Sequence, residues 1–264
     1  MNRLYIWSDI PGQWYKASTE SDATGQAAGS DKTPGTKTLV ENVTSMSTLV
    51  ALFTRLHESN DEWNSVNFHT HGAGGQVALG SDILNFVACR QLEGQNFERL
   101  FASDCVITFD GCSVAEGAAG EYFLVKIGST LLTRGGGQIR GSTGGGFGSW
   151  GGGESLHPTG NWVTAYVGPG GTVRLSDNAT NLQRSTIEER IVSLRKKNSE
   201  YDELGWLQAN EKRTLFEAEQ NAVTEVSSDS WFRRFEATRW LEWAEGRLGV
   251  IRRRESSQFK HGPH

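Results

Sequence analysis

The 264-residue sequence holds just three cysteines, Cys89, Cys105 and Cys112, and no two of them make a CxxC pair. An odd count without that spacing argues against a disulfide framework and against a structural zinc; it points to reduced thiols, as in a cytoplasm. No window approaches the roughly 18 consecutive apolar residues that a membrane-crossing helix needs. The N-terminal MNRLYIWSDIPGQWY has too short an apolar run before Asp9 for a signal peptide. A cytoplasmic protein away from membranes is therefore expected. An excess of positive charge is missing too, and a formal net charge of -5 gives no reason to expect nucleic acid as a partner. The glycine-rich GGGQIRGSTGGGFGSWGGG lacks the Gly-Lys-Ser/Thr of a phosphate-binding loop.

What is present fits a folded chain: 36% of residues are hydrophobic and 10% aromatic. Composition changes near residue 180, since 28 of the 32 glycines precede it. Residues 1–180 carry 11 basic and 17 acidic side chains, and the remainder 15 and 14. Two domains are expected, 1–180 and 181–264. In the first, strand patterns (LYIWS at 4–8, SVNFHTH at 65–71, DCVITFD at 104–110, GQIRGST at 137–143, then NWVTAYV and TVRLS) alternate with helical ones. Leu49, Leu52 and Leu56 mark one helical face within 45–58, and 115–132 reads as another helix. QVAL and DILNF, on either side of Gly80–Ser81, suggest a hairpin, while Asp9–Lys37 reads as a long loop. Such alternation implies an α/β fold with a mainly parallel sheet between helical layers. Beyond 180, Ile187, Ile191, Leu194 and Tyr201 trace a helical stripe that Ser185 and Glu188, at capping-box spacing, would start. A second helix with Trp231, Phe235, Leu241 and Trp243 would complete a hairpin, with Arg252–Arg254 as its solvated end.

Two strand ends carry chemistry. NFHTHG closes one strand and ITFDGC another, and in open parallel sheets the carboxyl ends of strands border the ligand crevice. A histidine and a cysteine there can face one another, so that the imidazole takes the thiol proton and the thiolate attacks a carbonyl carbon. The N–H groups of Gly72 and Cys112 could receive the resulting oxyanion, and Gly111 permits the sharp turn that presents the thiol. Cys89 and Cys105 lie in apolar patterns and read as core, and His69 as a packed or hydrogen-bonding strand residue. No further Asp-His motif joins His69 and His71 to suggest a metal-dependent hydrolase, and no metal or cofactor is expected.

HTHG (69–72) followed by ITFDGC (107–112) resembles the paired signature of the caspase-like (clan CD) cysteine peptidases, which include clostripain, metacaspases and toxin autoprocessing domains. The longer stretches HGAGGQVALG, DGCSVAEGAAGEYFLVKIG and IRGSTGG are most similar to a caspase-like domain of unknown function found in large bacterial adhesin-like proteins. The resemblance spans roughly 65–145 and leaves the helical extension unmatched. It implies a caspase-like three-layer sandwich, Cys112 as nucleophile and His71 as general base, with Gly72 and Cys112 as oxyanion donors. It also implies that Asp110, two residues before the cysteine, lies in the specificity pocket and selects Arg or Lys before the scissile bond; a carboxylate there suits a cation. The expected activity is a cysteine endopeptidase acting on protein or peptide substrates, with self-cleavage near Lys16, Lys32, Lys37 or Arg134 as an extension. The alternative is a catalytically silent caspase-like scaffold whose 181–264 helices bind a protein partner.

Overall fold

Leu4 and Ile6 are almost fully buried and alternate with Tyr5 and Trp7 along a first strand, β1 (Asn2–Trp7). Such alternation gives a strand two distinct faces, and both are covered here. The computed structural model describes residues 1–9, 16–30, 35–145 and 160–260. The chain divides at Ala179/Thr180 into two compact units.

In the first unit, β1 is followed by α1 (Lys16–Ser30), β2 (Lys37–Asn42), α2 (Met46–Glu58) and β3 (Trp63–His69). Three short strands come next, β4 (Gly72–Ala73), β5 (Gln76–Leu79) and β6 (Asp82–Asn85), then single 3-10 turns at Ala88–Gln91 and Phe97–Leu100. β7 (Phe101–Phe109), α3 (Gly117–Leu131), β8 (Gly137–Ser142), β9 (Trp162–Val167) and β10 (Val173–Leu175) complete it. Among the described residues the main sheet has seven strands, in the order β10-β9-β8-β7-β3-β1-β2. Its five strands from β2 to β8 are parallel, β9 runs antiparallel to β8, and β10 runs antiparallel to β9. β4, β5 and β6 form a separate antiparallel sheet.

Strand order explains the layers. The chain steps from β1 to β2 in one direction, then crosses back to β3 and continues to β7 and β8. Parallel crossovers are almost always right-handed, so a reversal of direction puts the connecting helices on opposite faces. α1 accordingly packs Ala23 and Ala27 against Tyr5 with Trp7 and Val40 beside them, while Phe123 of α3 meets Phe109 from the other side. In register across that second face run Ile6, Phe68 and Phe109, with Phe68 and Phe109 stacked at 4.9 Å. The architecture is a three-layer α/β sandwich with a mainly parallel sheet.

Helix α2 starts at a capping box in which Ser45 and Thr48 exchange side-chain and backbone hydrogen bonds. Leu49, Leu52 and Leu56 form its buried stripe, as their spacing predicts. The stretch read as a loop between Asp9 and Lys37 contains α1 and the first residue of β2. α1 is short of apolar residues other than alanine, which hides its amphipathic pattern from a periodicity search. Lys37 accordingly lies in a strand and pairs with Asp61, and Arg134 pairs with Glu62 at 2.9 Å. Lys32 lies outside the described residues.

Among its described residues the second unit has three helices, α4 (Arg184–Glu203), α5 (Ala209–Val226) and α6 (Trp231–Lys260). α5 stands between the two that the sequence predicts. Ile187, Ile191, Leu194 and Tyr201 enter a core with Leu215, Ala222, Leu241 and Leu248. α4 is capped by Gln183 without a side-chain hydrogen bond, so Ser185 lies inside the first turn and closes no capping box. Trp243 is 47% exposed, unlike Leu241 and Phe235, which are buried. Arg254 is not a solvated end either: with Arg247 it brackets the Glu211 carboxylate, at 3.1 and 2.7 Å. No described helix is long and apolar enough to cross a membrane.

Candidate active site

The switch in strand order lies between β1 and β3, and the carboxyl ends on either side of such a switch open a crevice. Ser8 and Asp9 leave β1 there, His71 follows β3, and Cys112 follows the neighbouring β7. The two key segments touch through glycine. A Cβ built on Gly72 would lie 2.8 Å from the Cys112 carbonyl oxygen and 2.5 Å from Cγ2 of Val114. One built on Gly111 would lie 2.9 Å from the Thr70 carbonyl oxygen and 3.2 Å from the Gly72 nitrogen. Side chains larger than hydrogen have no room at either position. Gly72 follows His71 and Gly111 precedes Cys112, so this contact brings His71 and Cys112 to one crevice although 40 residues separate them.

Hydrogen bonds hold both segments in place. The His71 carbonyl accepts from the Ala78 N–H at 2.7 Å, which makes His71 and Ala78 a hydrogen-bonded pair at the end of the β4–β5 ladder. In antiparallel ladders such pairs alternate with non-bonded ones. Gly72 and Val77 are the next pair, so Gly72 turns its N–H away from β5, to the side on which Gly111 and Cys112 lie. An oxyanion donor needs that orientation. Ser8 ties the β1 end in: its N–H donates to the His69 carbonyl at 3.2 Å, and its buried hydroxyl accepts from the Gly80 N–H at 2.7 Å.

The cysteine turn is built on an unusual backbone. Ser113 has φ 54, the left-handed region that non-glycine residues rarely adopt and that clusters at functional sites. Hydrogen bonds to the end of β8 hold it: the Ser113 N–H donates to Gly144 at 2.8 Å and the Ala115 N–H to Ser142 at 2.9 Å. Cys112 is partly exposed, whereas Cys89 and Cys105 are buried. Burial pushes both of those thiols up to about 12, so they remain protonated and inert at neutral pH.

Burial also holds the His71 pKa below the ordinary histidine value, and the negative charge of Asp9 opposes that shift without overcoming it. The imidazole is thus neutral at neutral pH, as a general base must be. Asp9 is a residue that motif reading misses. Its carboxylate accepts from Thr19 on α1, and only the adjacency of β1 and β3 shows that it neighbours His71.

Asp110 lies at the end of β7, one step past the Phe68–Phe109 register pair. That places it beside His69, and Oδ2 is 3.3 Å from His69 Nδ1. His69 is 3% exposed and stacks on Tyr5 at 6.0 Å, the packed strand role that its position suggests. The Asp110 side chain keeps 20% exposure, so the carboxylate is anchored on one side and open on the other. The glycine-rich stretch beyond Gly145 and its Trp150 lie outside the described residues.

A groove of about 310 Å³ adjoins the site, lined by His71 and Gly72 together with Ala73, Gln76, Ala78 and Ile83 of the small sheet. No curated protein matches the chain. Residues 22–137 match the family model of a domain of unknown function, DUF4347, and that stretch holds both His71 and Cys112.

Proposed function

We propose that the chain is a cysteine endopeptidase with Cys112 as nucleophile and His71 as general base. The observation that carries this reading is the packing of Gly72 against Gly111 and Cys112, which seats a neutral imidazole and a partly exposed cysteine on touching segments at the carboxyl ends of β3 and β7. His71 takes the thiol proton, and the thiolate attacks the carbonyl carbon of the scissile peptide bond. The Gly72 and Cys112 N–H groups receive the oxyanion. The tetrahedral adduct then collapses, the C–N bond breaks, and His71 gives its proton to the departing amine. Water, deprotonated by His71, hydrolyses the thioester to a carboxylic acid and frees the thiol.

Two carboxylates on the α1 side of the sheet support a preference for Arg or Lys before the scissile bond. They are Asp110 at the end of β7 and Asp9 at the end of β1. A cationic side chain would add to the Asp110–His69 contact from its open side. Self-cleavage at Lys37 would first require β2 to leave the sheet, which makes it the poorest of the four basic candidates.

The test is a panel of fluorogenic peptides ending in Arg, Lys, Asp or Leu, run with the full chain beside Cys112→Ala and His71→Ala. Cleavage after Arg and Lys, with a loss of at least roughly a thousandfold in each variant, is the expected result. Activity that survives Cys112→Ala overturns the mechanism, and a preference for Asp overturns the role of Asp110. Mass spectrometry of the same samples reports self-cleavage. A second reading, a silent scaffold whose helices bind a protein partner, draws on the exposed Phe216, Phe232 and Trp243. Complete inactivity of the parent chain on every peptide favours it.

A further inference from the structure

The small sheet beside His71 has one face committed to the core and one left open. Val77, Leu79 and Leu84 are buried to 1% exposure or less. By the two-residue period of strands, Gln76 and Ala78 point the other way, and both are only partly buried. Cross-strand pairing extends that open face, because Ile83 stands opposite Ala78 and Ala73 opposite Gln76. Ile83 is 47% exposed, a large β-branched side chain at the surface of a site. These four residues, with His71 and Gly72, line the 310 Å³ groove, whose volume falls at the lower end for ligand clefts, roughly 300–1,000 Å³.

Its position relative to the chemistry decides what the groove would hold. In the peptidase reading, on which this inference rests, His71 must reach the nitrogen of the departing amine to protonate it. The chain that follows the scissile bond must then start beside His71. The groove starts at His71 and Gly72 and runs onto the open face of the small sheet.

We infer that this face is the leaving-side subsite, and that it takes an extended segment whose first residues after the scissile bond are small or apolar. Next to His71 the lining is Gly72 and Ala73, which offer backbone and a single methyl group to the first residue. Farther along, Ala78 and Ile83 present an apolar surface to the next side chain. Among the described residues of the lining the one carboxylate belongs to Asp82, which accepts a hydrogen bond from the Met46 N–H at 3.0 Å at the end of the hairpin, so no cation of the lining offsets the charge of an acidic segment.

The experiment compares two internally quenched peptides that share one acyl side, with the basic residue preferred in the fluorogenic panel. One continues Ala-Ile after the scissile bond and the other Asp-Glu. A third substrate with the same acyl side and an aminocoumarin leaving group carries no residues on the leaving side. The full chain should cleave the Ala-Ile peptide with a kcat/KM roughly tenfold above that of the Asp-Glu peptide. Ile83→Asp should bring that ratio to about one or below. Dividing each value by the aminocoumarin kcat/KM of the same preparation removes differences in folded fraction. Equal rates for the two peptides in the parent chain, or a ratio that Ile83→Asp leaves intact, overturns the inference while the peptidase reading stands. Failure of the parent chain to cleave any of the three substrates overturns the peptidase reading, and the subsite with it.

Discussion

Around the crevice of Met1–Ala179 the chain brings backbone against backbone, and in Thr180–His264 it keeps helices apart with side chains. In the first unit, Gly72 and Gly111 mark places where a single methyl group would strike a carbonyl oxygen of the neighbouring segment. In the second, the glycines of α6 have no such role: a Cβ on Gly246 would meet nothing within 4 Å. Its helices are joined instead by an aliphatic seam and by charged pairs such as Arg190–Glu245 at 2.9 Å and Arg195–Glu219 at 2.8 Å. Geometry in the first unit is set by close approach, which cannot be relaxed one residue at a time. Geometry in the second is set by long side chains that can readjust.

Matched substitutions can break this contrast. The largest effect is expected from Gly72→Ala, whose methyl group has no space and would displace the Gly72 N–H from its place beside Gly111. In the peptidase reading kcat should fall by roughly 10²–10³, with a loss of stability of about 1–3 kcal/mol from overpacking. Denaturant unfolding beside the fluorogenic assay separates the two effects, and an active Gly72→Ala protein would show that the contact is slack. Glu211→Ala should rank next. Its carboxylate is 2% exposed between Arg247 and Arg254, and removing one member of a buried ionic cluster costs about 3–5 kcal/mol. Because both arginines are partly solvated, about 2 kcal/mol is expected, read as faster hydrogen exchange in α5 and α6. Gly246→Ala should act in the opposite direction and stabilise α6 by up to about 1 kcal/mol, measured the same way.

The smallest effect concerns protons. His71 is held below the ordinary histidine value of 6.5; in the peptidase reading protonation disables the base, so the acid limb of the kcat/KM profile should fall below that pH. Asp9 pushes this pKa upward, hence Asp9→Asn should move the limb to still lower pH. A limb that stays where it was, or moves up, would show that the Asp9 carboxylate does not act on the imidazole.

The parts of this molecule legible in its sequence are those that depend on near neighbours in the chain. α2 declares itself by Leu49, Leu52 and Leu56, the β5–β6 hairpin by Gly80–Ser81, and the strand ends at His71 and Cys112 by apolar runs that stop at glycine. α1 does not, because its buried residues include Ala23 and Ala27, too small to stand out among Ser, Thr and Gly. α5 is hidden differently. Its stripe of Leu215, Ala218, Ala222 and Val226 is blurred by Phe216 and Val223, which face outward. The site follows the same rule. His71, Gly72, Gly111 and Cys112 form short contiguous motifs, whereas Asp9 beside His71 and Asp110 against His69 are products of strand order and register. The left-handed Ser113 carries no local sequence signal at all, since serine is not the residue that such a backbone favours.

The turn that presents Cys112 is fastened from downstream, by the carbonyl groups of Ser142 and Gly144. During synthesis the thiol therefore emerges some 30 residues ahead of the groups that seat it. Until β8 takes its place beside β7, a growing chain carries His71, Cys112 and both glycines but lacks the acceptors that hold the turn at Ser113. A fragment that ends before Ser142 would carry the motif without that clasp.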